Sequence, residues 1–397
     1  VTFGRRIGPA RVLALAVGAA ASLACDSISL VPAGASGPSA GGTTEKPGTL
    51  LRSEPMSGAP AGAVAWRVLY VSSDENGRAI RVSGVVIASG LAAPEGGRPV
   101  VAWAHPTTGA AEPCAPSRRS GFFDSIPHLR ALVTLDYVVA ATDYPGLGTR
   151  GPHPYLVGGS EGRAVLDIVR AAGRIEKAGA STRVAVWGHS QGGQAALFAG
   201  ELARRYAPEL TLFGIAAAAP VTDVAQLLRD DAVERGQNVL AAYCLASWSR
   251  YYGAPLDGIL PDPEIRAVER IAGECVEPGG ESYRVPGERV ELPAGFIPEG
   301  AYGTEPWRQL FGENRAGRAP AGAPLYIGQG TDDLIVRPSI TEDFVQGLCA
   351  RGETVRFQRL EGVGHLRAGR ASATDAILWM KSRFEGAAAP NSCVAPW

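Results

Sequence analysis

The chain has 397 residues, 46% of them hydrophobic, with 38 basic and 39 acidic side chains and a net charge of −1. That much apolar sequence can bury one large core or two, and the near-neutral balance gives no reason to expect nucleic acid as a partner. No internal repeat is evident, and beyond the N-terminus no stretch is long and apolar enough to span a bilayer.

Arg5, Arg6 and Arg11 precede the apolar run Val12 to Ala24, which ends in small residues. That order reads as a secretory signal peptide over residues 1–24. Ser22-Leu23-Ala24-Cys25 offers a second outcome: lipid attachment at Cys25, with the Gly/Ser/Pro/Thr-rich stretch 25–48 as a tether to the membrane. Ser22 stands where lipoprotein signals usually carry a branched aliphatic residue, so plain secretion stays open beside a cell-envelope lipoprotein. Either route exports the chain to an oxidising compartment, where Cys114, Cys244, Cys275, Cys349 and Cys393 can pair. Five is odd; two bridges and a free thiol are the simplest count, and spacing alone leaves the connectivity open.

Two β-rich runs, Trp66 to Ser72 and Ile80 to Ala88, flank Asp74-Glu75-Asn76-Gly77, a hairpin signal. Strand candidates Pro99 to Ala104 and Tyr137 to Thr142 enclose a helical pattern over Asp124 to Leu135. A helix from Ser160, read as its N-cap, to about Lys177 leads to the strand Val184 to Trp187. Leu212 to Ala219, Pro324 to Ile327 and Val355 to Leu360 continue as strands, with helices over Ser339 to Arg351 and Ala373 to Phe384. The alternation predicts an α/β fold with a mostly parallel central sheet and helices on both faces. Residues 221–322 break the rhythm with Pro, Gly, scattered aromatics and a helical pattern over Asp223 to Gly236; they read as an inserted cap or lid, or as an elaborated surface loop. The core is then 49–220 with 323–397.

The organising stretch is Arg183 to Tyr206, RVAVWGHSQGGQAALFAGELARRY. A short apolar run passes through Gly188-His189-Ser190-Gln191-Gly192 into a helical pattern, the strand, turn and helix order of a nucleophile elbow. The glycines suit a strained turn where neighbouring side chains would crowd the crossing. The same G-x-S-x-G pattern occurs around Ser39 and Ser160, but Ser39 lies in low-complexity sequence and Ser160 follows Pro152 and Pro154, which argue against an interior strand.

A serine hydroxyl needs a base to take its proton, and the base needs an orienting acid. Of five histidines, His365 lies in the glycine-flanked loop EGVGHL after the last strand candidate, which frees its ring to reach the edge of the sheet. For the acid, Asp333 in GTDDLIV is preferred to its neighbour Asp332 because of its distance from Gly330, with Asp223 a weaker alternative. An oxyanion hole requires two backbone N–H groups; Gln191 supplies one, and the loop His105-Pro106-Thr107-Thr108-Gly109 the other, from Thr107 or Thr108 because Pro106 has no N–H. No Cys and His spacing resembles a zinc site, and the chemistry needs no cofactor.

Beyond the elbow, WAHPTTG with CAPS (Trp103 to Gly109, Cys114 to Ser117), YVVAATDYPGLGT with HPYLVGGSEGRAVLD (Tyr137 to Asp167) and APEL (Ala207 to Leu210) are far more specific signals. Over about residues 48–397 the chain resembles the secreted lipase family of the α/β-hydrolases, the lipase A type in its actinobacterial form. The resemblance implies an α/β-hydrolase fold, the chain order Ser, Asp, His, carboxylic-ester hydrolysis through an acyl-enzyme, a cap between the sixth and seventh strands, and two disulfides. Carried over, these pair Cys114 with Cys275 and Cys349 with Cys393, leaving Cys244 free. The departure is Pro106, where such chains often have Gly. The expected substrate is a small-molecule or lipid ester. An acyltransferase or peptidase using the same triad, and a non-catalytic binding protein on the same fold, are the competing readings.

Overall fold

The computed structural model describes residues 45–233, 238–279, 282–284 and 292–394. The leader 1–24, Cys25 and the tether up to residue 44 lie outside the described residues.

In chain order the elements are β1 (Leu50–Pro55), β2 (Ala63–Ser73), β3 (Ala79–Ser89), β4 (Arg98–Ala104), α1 (Phe122–Ser125), α2 (Leu129–Thr134) and β5 (Val138–Thr142). Next come α3 (Gly158–Ala172), β6 (Ala180–His189), α4 (Gln191–Tyr206) and β7 (Thr211–Ala218). A long connection holds α5 (Val224–Val233), α6 (Val239–Tyr252), α7 (Asp262–Gly273), β8 (Glu277–Gly279), β9 (Ser282–Arg284) and α8 (Trp307–Glu313). The chain closes with β10 (Leu325–Gly330), α9 (Pro338–Ala350), β11 (Val355–Leu360), α10 (His365–Ala371) and α11 (Ala373–Phe384).

Nine strands form one sheet in the order β1-β2-β3-β5-β4-β6-β7-β10-β11. β1 to β3 are antiparallel, β3 meets β5 antiparallel, and every later pairing is parallel. The hairpin is set by Asp74, whose Oδ1 accepts the N–H groups of Asn76 and Arg78 while Gly77 takes φ +76°. β1 is not legible in the sequence, because its exposed edge LLRSEP carries little apolar signal. It also shifts the strand count, so the long connection lies between the seventh and eighth strands of this sheet.

Short Ala- and Val-rich strands buried on both faces need helices on both. α3, α4 and α9 cover one face, with Val165, Ile168, Leu197, Val345 and Leu348 packed on Val100, Val184 and Ile327. α1, α2 and α11 cover the other, where Leu132, Ile377 and Trp379 meet Trp103 and Trp187. Truncating a buried Trp of this kind costs about 3–5 kcal/mol.

Several helix boundaries differ from the sequence reading, among them the end of α3, at Ala172 and not about Lys177. The pattern over Asp124 to Leu135 is two short helices, because Pro127 has no N–H to continue α1 and His128 turns to φ +53°. Ser160 is not an N-cap: Val157 is, and Ser160 sits inside the first turn of α3. The helix opens early because Asn314 Oδ1 accepts the Gly158 N–H, while Glu161 Oε1 accepts the N–H of Leu156 just before the cap.

The long connection has an apolar core of its own, with Leu228, Leu245, Trp248, Ile271 and Trp307 buried. That cluster also takes in Ala110, Tyr155, Val221 and Val336, with Leu366 packed against it. These come from the loops after β4, β5, β7, β10 and β11, so the connection sits over the carboxyl-terminal edge of the parallel strands. Cys114 is bonded to Cys275, tying the loop after β4 to this connection; Cys349 is bonded to Cys393, and Cys244 is buried and free.

Candidate active site

Ser190 ends β6 and begins α4 with φ +58° and ψ −119°, a conformation that non-glycine residues rarely hold. The surroundings enforce it. Ser190 N–H donates to Ala218 O at 2.9 Å on neighbouring β7, and its carbonyl accepts Gln194 N–H at 3.1 Å inside α4. Gly192 lies so near the end of β4 that a Cβ there would come 1.9 Å from Ala104 O and 2.7 Å from His105 O. The elbow therefore excludes side chains at this step by direct collision with backbone.

Ser190 Oγ lies 2.7 Å from His365 Nε2, and His365 Nδ1 lies 2.8 Å from Asp333 Oδ2. In the tautomer this geometry calls for, Nδ1–H donates to the carboxylate and Nε2 accepts the serine proton. Asp333 is held in turn: Oδ1 accepts the N–H groups of Ile335 at 2.9 Å and Val336 at 2.8 Å, and Oδ2 also accepts Gln329 Nε2–H at 3.1 Å. Ser190, Asp333 and His365 are each at most 2% exposed.

The turn at Ser190, the loop of Asp333 and the start of α10, where His365 is the first helical residue rather than part of the expected loop, bring these residues together. Each lies beyond the carboxyl end of a parallel strand, which is where an open α/β sheet gathers its ligand-binding residues. Asp332 is exposed and does not reach the histidine. Asp223 accepts Gln226 N–H at the start of α5 and faces Arg315, so it serves that helix.

His189 precedes the serine and is also buried. Burial, followed by the nearby His365, lowers its pKa to about 3, so the ring stays neutral. Its Nε2–H donates to His365 O at 2.9 Å, which fixes the backbone that carries the base. Gln329 has a like role for the acid, bridging Asp333 and Thr341. Sequence reasoning gave neither a role; His189 carried a signal only by lying inside the elbow, and Gln329 carried none.

Opposite the elbow, Thr107 is buried with its hydroxyl 2.8 Å from Tyr155 OH. Thr108 turns towards the long connection, where its carbonyl accepts Val276 N–H and Arg119 Nη2–H beside the bridge pairing of Gly109 with Cys275. Behind the elbow, Gln191 Nε2 donates to Glu161 Oε1 at 2.7 Å and lies 3.2 Å from His153 Nε2. His153 Nδ1–H donates to Pro145 O, and burial lowers its pKa to about 3, which keeps Nε2 an acceptor for the amide. Glu161 lies in the stretch HPYLVGGSEGRAVLD, and nothing in its sequence signal gave it a role. Among the described residues no group of three His, Cys, Asp or Glu side chains is arranged to hold a metal ion.

The chain is similar to known proteins in sequence and in fold. The chain is 28% identical to a secreted triacylglycerol lipase of Malassezia globosa, over 71% of this chain and 63% of that protein. It is 25% identical to a Mycobacterium tuberculosis protein named "Probable inactive lipase", over 88% of this chain and 81% of that one. Among solved structures it is similar to Candida antarctica lipase A in its closed state, with a TM-score of 0.69 at 16% identity over 87% of this chain and 84% of that one. The rice cell wall degrading esterase LipA of Xanthomonas oryzae gives a TM-score of 0.66 at 22% identity, covering 86% of this chain and 98% of the esterase. A family model described as secretory lipase matches residues 126–392. The chain belongs to the secretory lipase family and has the α/β-hydrolase fold.

Proposed function

We propose that this protein hydrolyses carboxylic esters by acyl transfer through Ser190, His365 and Asp333. The observation that carries the reading is the continuous hydrogen-bond chain from Ser190 Oγ through His365 to Asp333, ending on a serine held at positive φ. His365 Nε2 takes the hydroxyl proton as Oγ attacks the ester carbonyl, and Asp333 stabilises the imidazolium that forms. The tetrahedral oxyanion is met by Gln191 N–H and a donor from the loop after β4. Thr107 is the better second donor, because Thr108 is drawn towards Val276 and Arg119. His365 then protonates the leaving alcohol, and water, activated the same way, releases the acid.

Residues 221–322 act as a cap in this reading. Their apolar core rests on the loops around the triad, and Ser190 is 2% exposed, so the cap is placed to control which esters reach the serine. Membership of the secretory lipase family supports a lipid ester as the substrate. The exported state, free or tethered through lipidated Cys25, belongs to the same proposal.

The test is hydrolysis of p-nitrophenyl esters from acetate to palmitate, with emulsified triglyceride alongside, by the wild type and Ser190→Ala. Turnover that requires Ser190 supports the reading. A folded wild type that binds esters and hydrolyses none is a binding protein on a hydrolase fold and sinks it.

A further inference from the structure

Glu161 is a buried carboxyl group with no cation. It is 0% exposed, and only one of its oxygens has partners: Oε1 accepts Gln191 Nε2–H at 2.7 Å and Leu156 N–H at 3.1 Å, while Oε2 has none. The titratable groups facing it are His153 and Tyr144 from the loop after β5 and Cys244 from α6, and none of them supplies positive charge. Burial without a counter-charge disfavours the ionised form of a carboxyl group. Burial accordingly pushes its pKa up to about 8, against two hydrogen bonds that pull it down. At neutral pH Glu161 is a carboxylic acid.

Its partner is the residue directly after the nucleophile. Gln191 also has one oxygen, Oε1, without a partner. The two orphan atoms, Glu161 Oε2 and Gln191 Oε1, thus belong to one bonded pair of side chains. A proton on Glu161 supplies the missing donor of an acid and amide pair; a charge there leaves two buried acceptors unpaired.

We propose that Glu161 is a positioning residue for ester hydrolysis: its carboxyl group fixes the side chain of Gln191, and through it the direction of the Gln191 backbone N–H that meets the oxyanion. The proposal rests on Ser190 being the nucleophile. It gives the GGSEG segment of α3 a part in the reaction, as the support of the elbow.

The experiment measures kcat and KM on p-nitrophenyl butyrate, with thermal unfolding alongside, for the wild type, Glu161→Leu, Glu161→Gln, Gln191→Met and the Leu/Met double variant. A displaced oxyanion donor predicts a fall in kcat of about tenfold to a hundredfold for Glu161→Leu, with KM within about twofold. Glu161→Gln restores most of that activity, because an amide can pair with Gln191 without a charge. Gln191→Met keeps the backbone N–H and loses the clamp, so its kcat falls to a similar degree, and the double variant is no worse than the weaker single. In the wild type kcat declines above about pH 8 as Glu161 ionises, and Glu161→Gln removes that limb. If Glu161→Leu does not fold, Gln191→Met and the pH limb decide. An active wild type whose Gln191→Met or Glu161→Leu variant keeps its kcat overturns the proposal, as does a Glu161→Gln variant as impaired as Glu161→Leu, or additive losses in the double variant. A wild type that hydrolyses no ester overturns the Ser190 reading, and this one with it.

Discussion

Two pentapeptides of this chain share the pattern G-x-S-x-G and are buried side by side. Gly188 to Gly192 leaves a strand, and its serine sits at positive φ against His365. Gly158 to Gly162 is the first turn of α3; its serine is helical, and the hydroxyl, next to that of Tyr251, makes no hydrogen bond of good geometry. The glycines also differ in purpose. Gly192 lets α4 start against the backbone of β4, whereas Gly162 lets α3 lie on α4, since a Cβ there would be 2.8 Å from Ala199 N. A motif thus acquires chemistry from the element it interrupts. The two are nonetheless joined, because Glu161 and Gln191 occupy the same place in each pattern and are bonded to one another.

The sharpest way to break this comparison is to remove each hydroxyl. Ser190→Ala should lower ester hydrolysis by about 10⁴-fold or more. Ser160→Ala should leave it within about twofold and leave the melting temperature unchanged or slightly higher, since it deletes a buried hydroxyl that lacks a good partner. Equal losses would mean that the second serine takes part in the reaction.

The acids follow in size. Asp333→Asn should cost about 10³- to 10⁴-fold in kcat by favouring the wrong imidazole tautomer. Asp332→Asn, on an exposed neighbour, should stay within about threefold, so near-equal effects would reverse the choice of acid.

Glycine substitutions separate the two packing roles. Gly192→Ala places a methyl on backbone that cannot give way, and the expected outcome is protein that neither folds stably nor turns over ester. Gly162→Ala should be tolerated at a cost of about 1–3 kcal/mol as α3 shifts from α4, read as a fall of a few degrees in melting temperature.

A further test of the buried pair is the pH dependence of stability. Folded Glu161 keeps its proton up to about pH 8, whereas the unfolded chain releases it near the ordinary 4.5. Its contribution is therefore full below pH 4.5 and lost as pH rises to 8. His153 and His189 act in the opposite sense: with pKa values lowered from 6.5 to about 3, their contribution is present above 6.5 and lost as pH falls to 3. The melting temperature should decline on both sides, and Glu161→Gln should flatten the alkaline side alone. An unchanged alkaline slope would show that Glu161 is not the group responsible.

Much of the fold was legible from local pattern. The hairpin follows from Asp74 to Gly77, and the alternation of buried strands with helices implies a mostly parallel sheet. The elbow follows from its glycines, and the loops of Asp333 and His365 from their strands. What failed locally failed for tertiary reasons: the cap of α3 lies three residues early, at Val157, because Asn314, far along the chain, receives the Gly158 N–H. β1 lacked a signal because an exposed edge strand needs few apolar residues.

The sequence alone determined which residue types could serve as nucleophile, base and acid, and the chain order in which they come. Only the tertiary structure decided which aspartate meets the histidine, that His189 and Gln329 hold the base and acid in place, and that a carboxyl group from a rejected motif lies under the elbow. The reason is that strand and helix periodicities are written in neighbouring residues. Hydrogen-bond partners in a sheet's carboxyl-edge loops, as with Ser190 and His365 175 positions apart, are fixed only when the strands align.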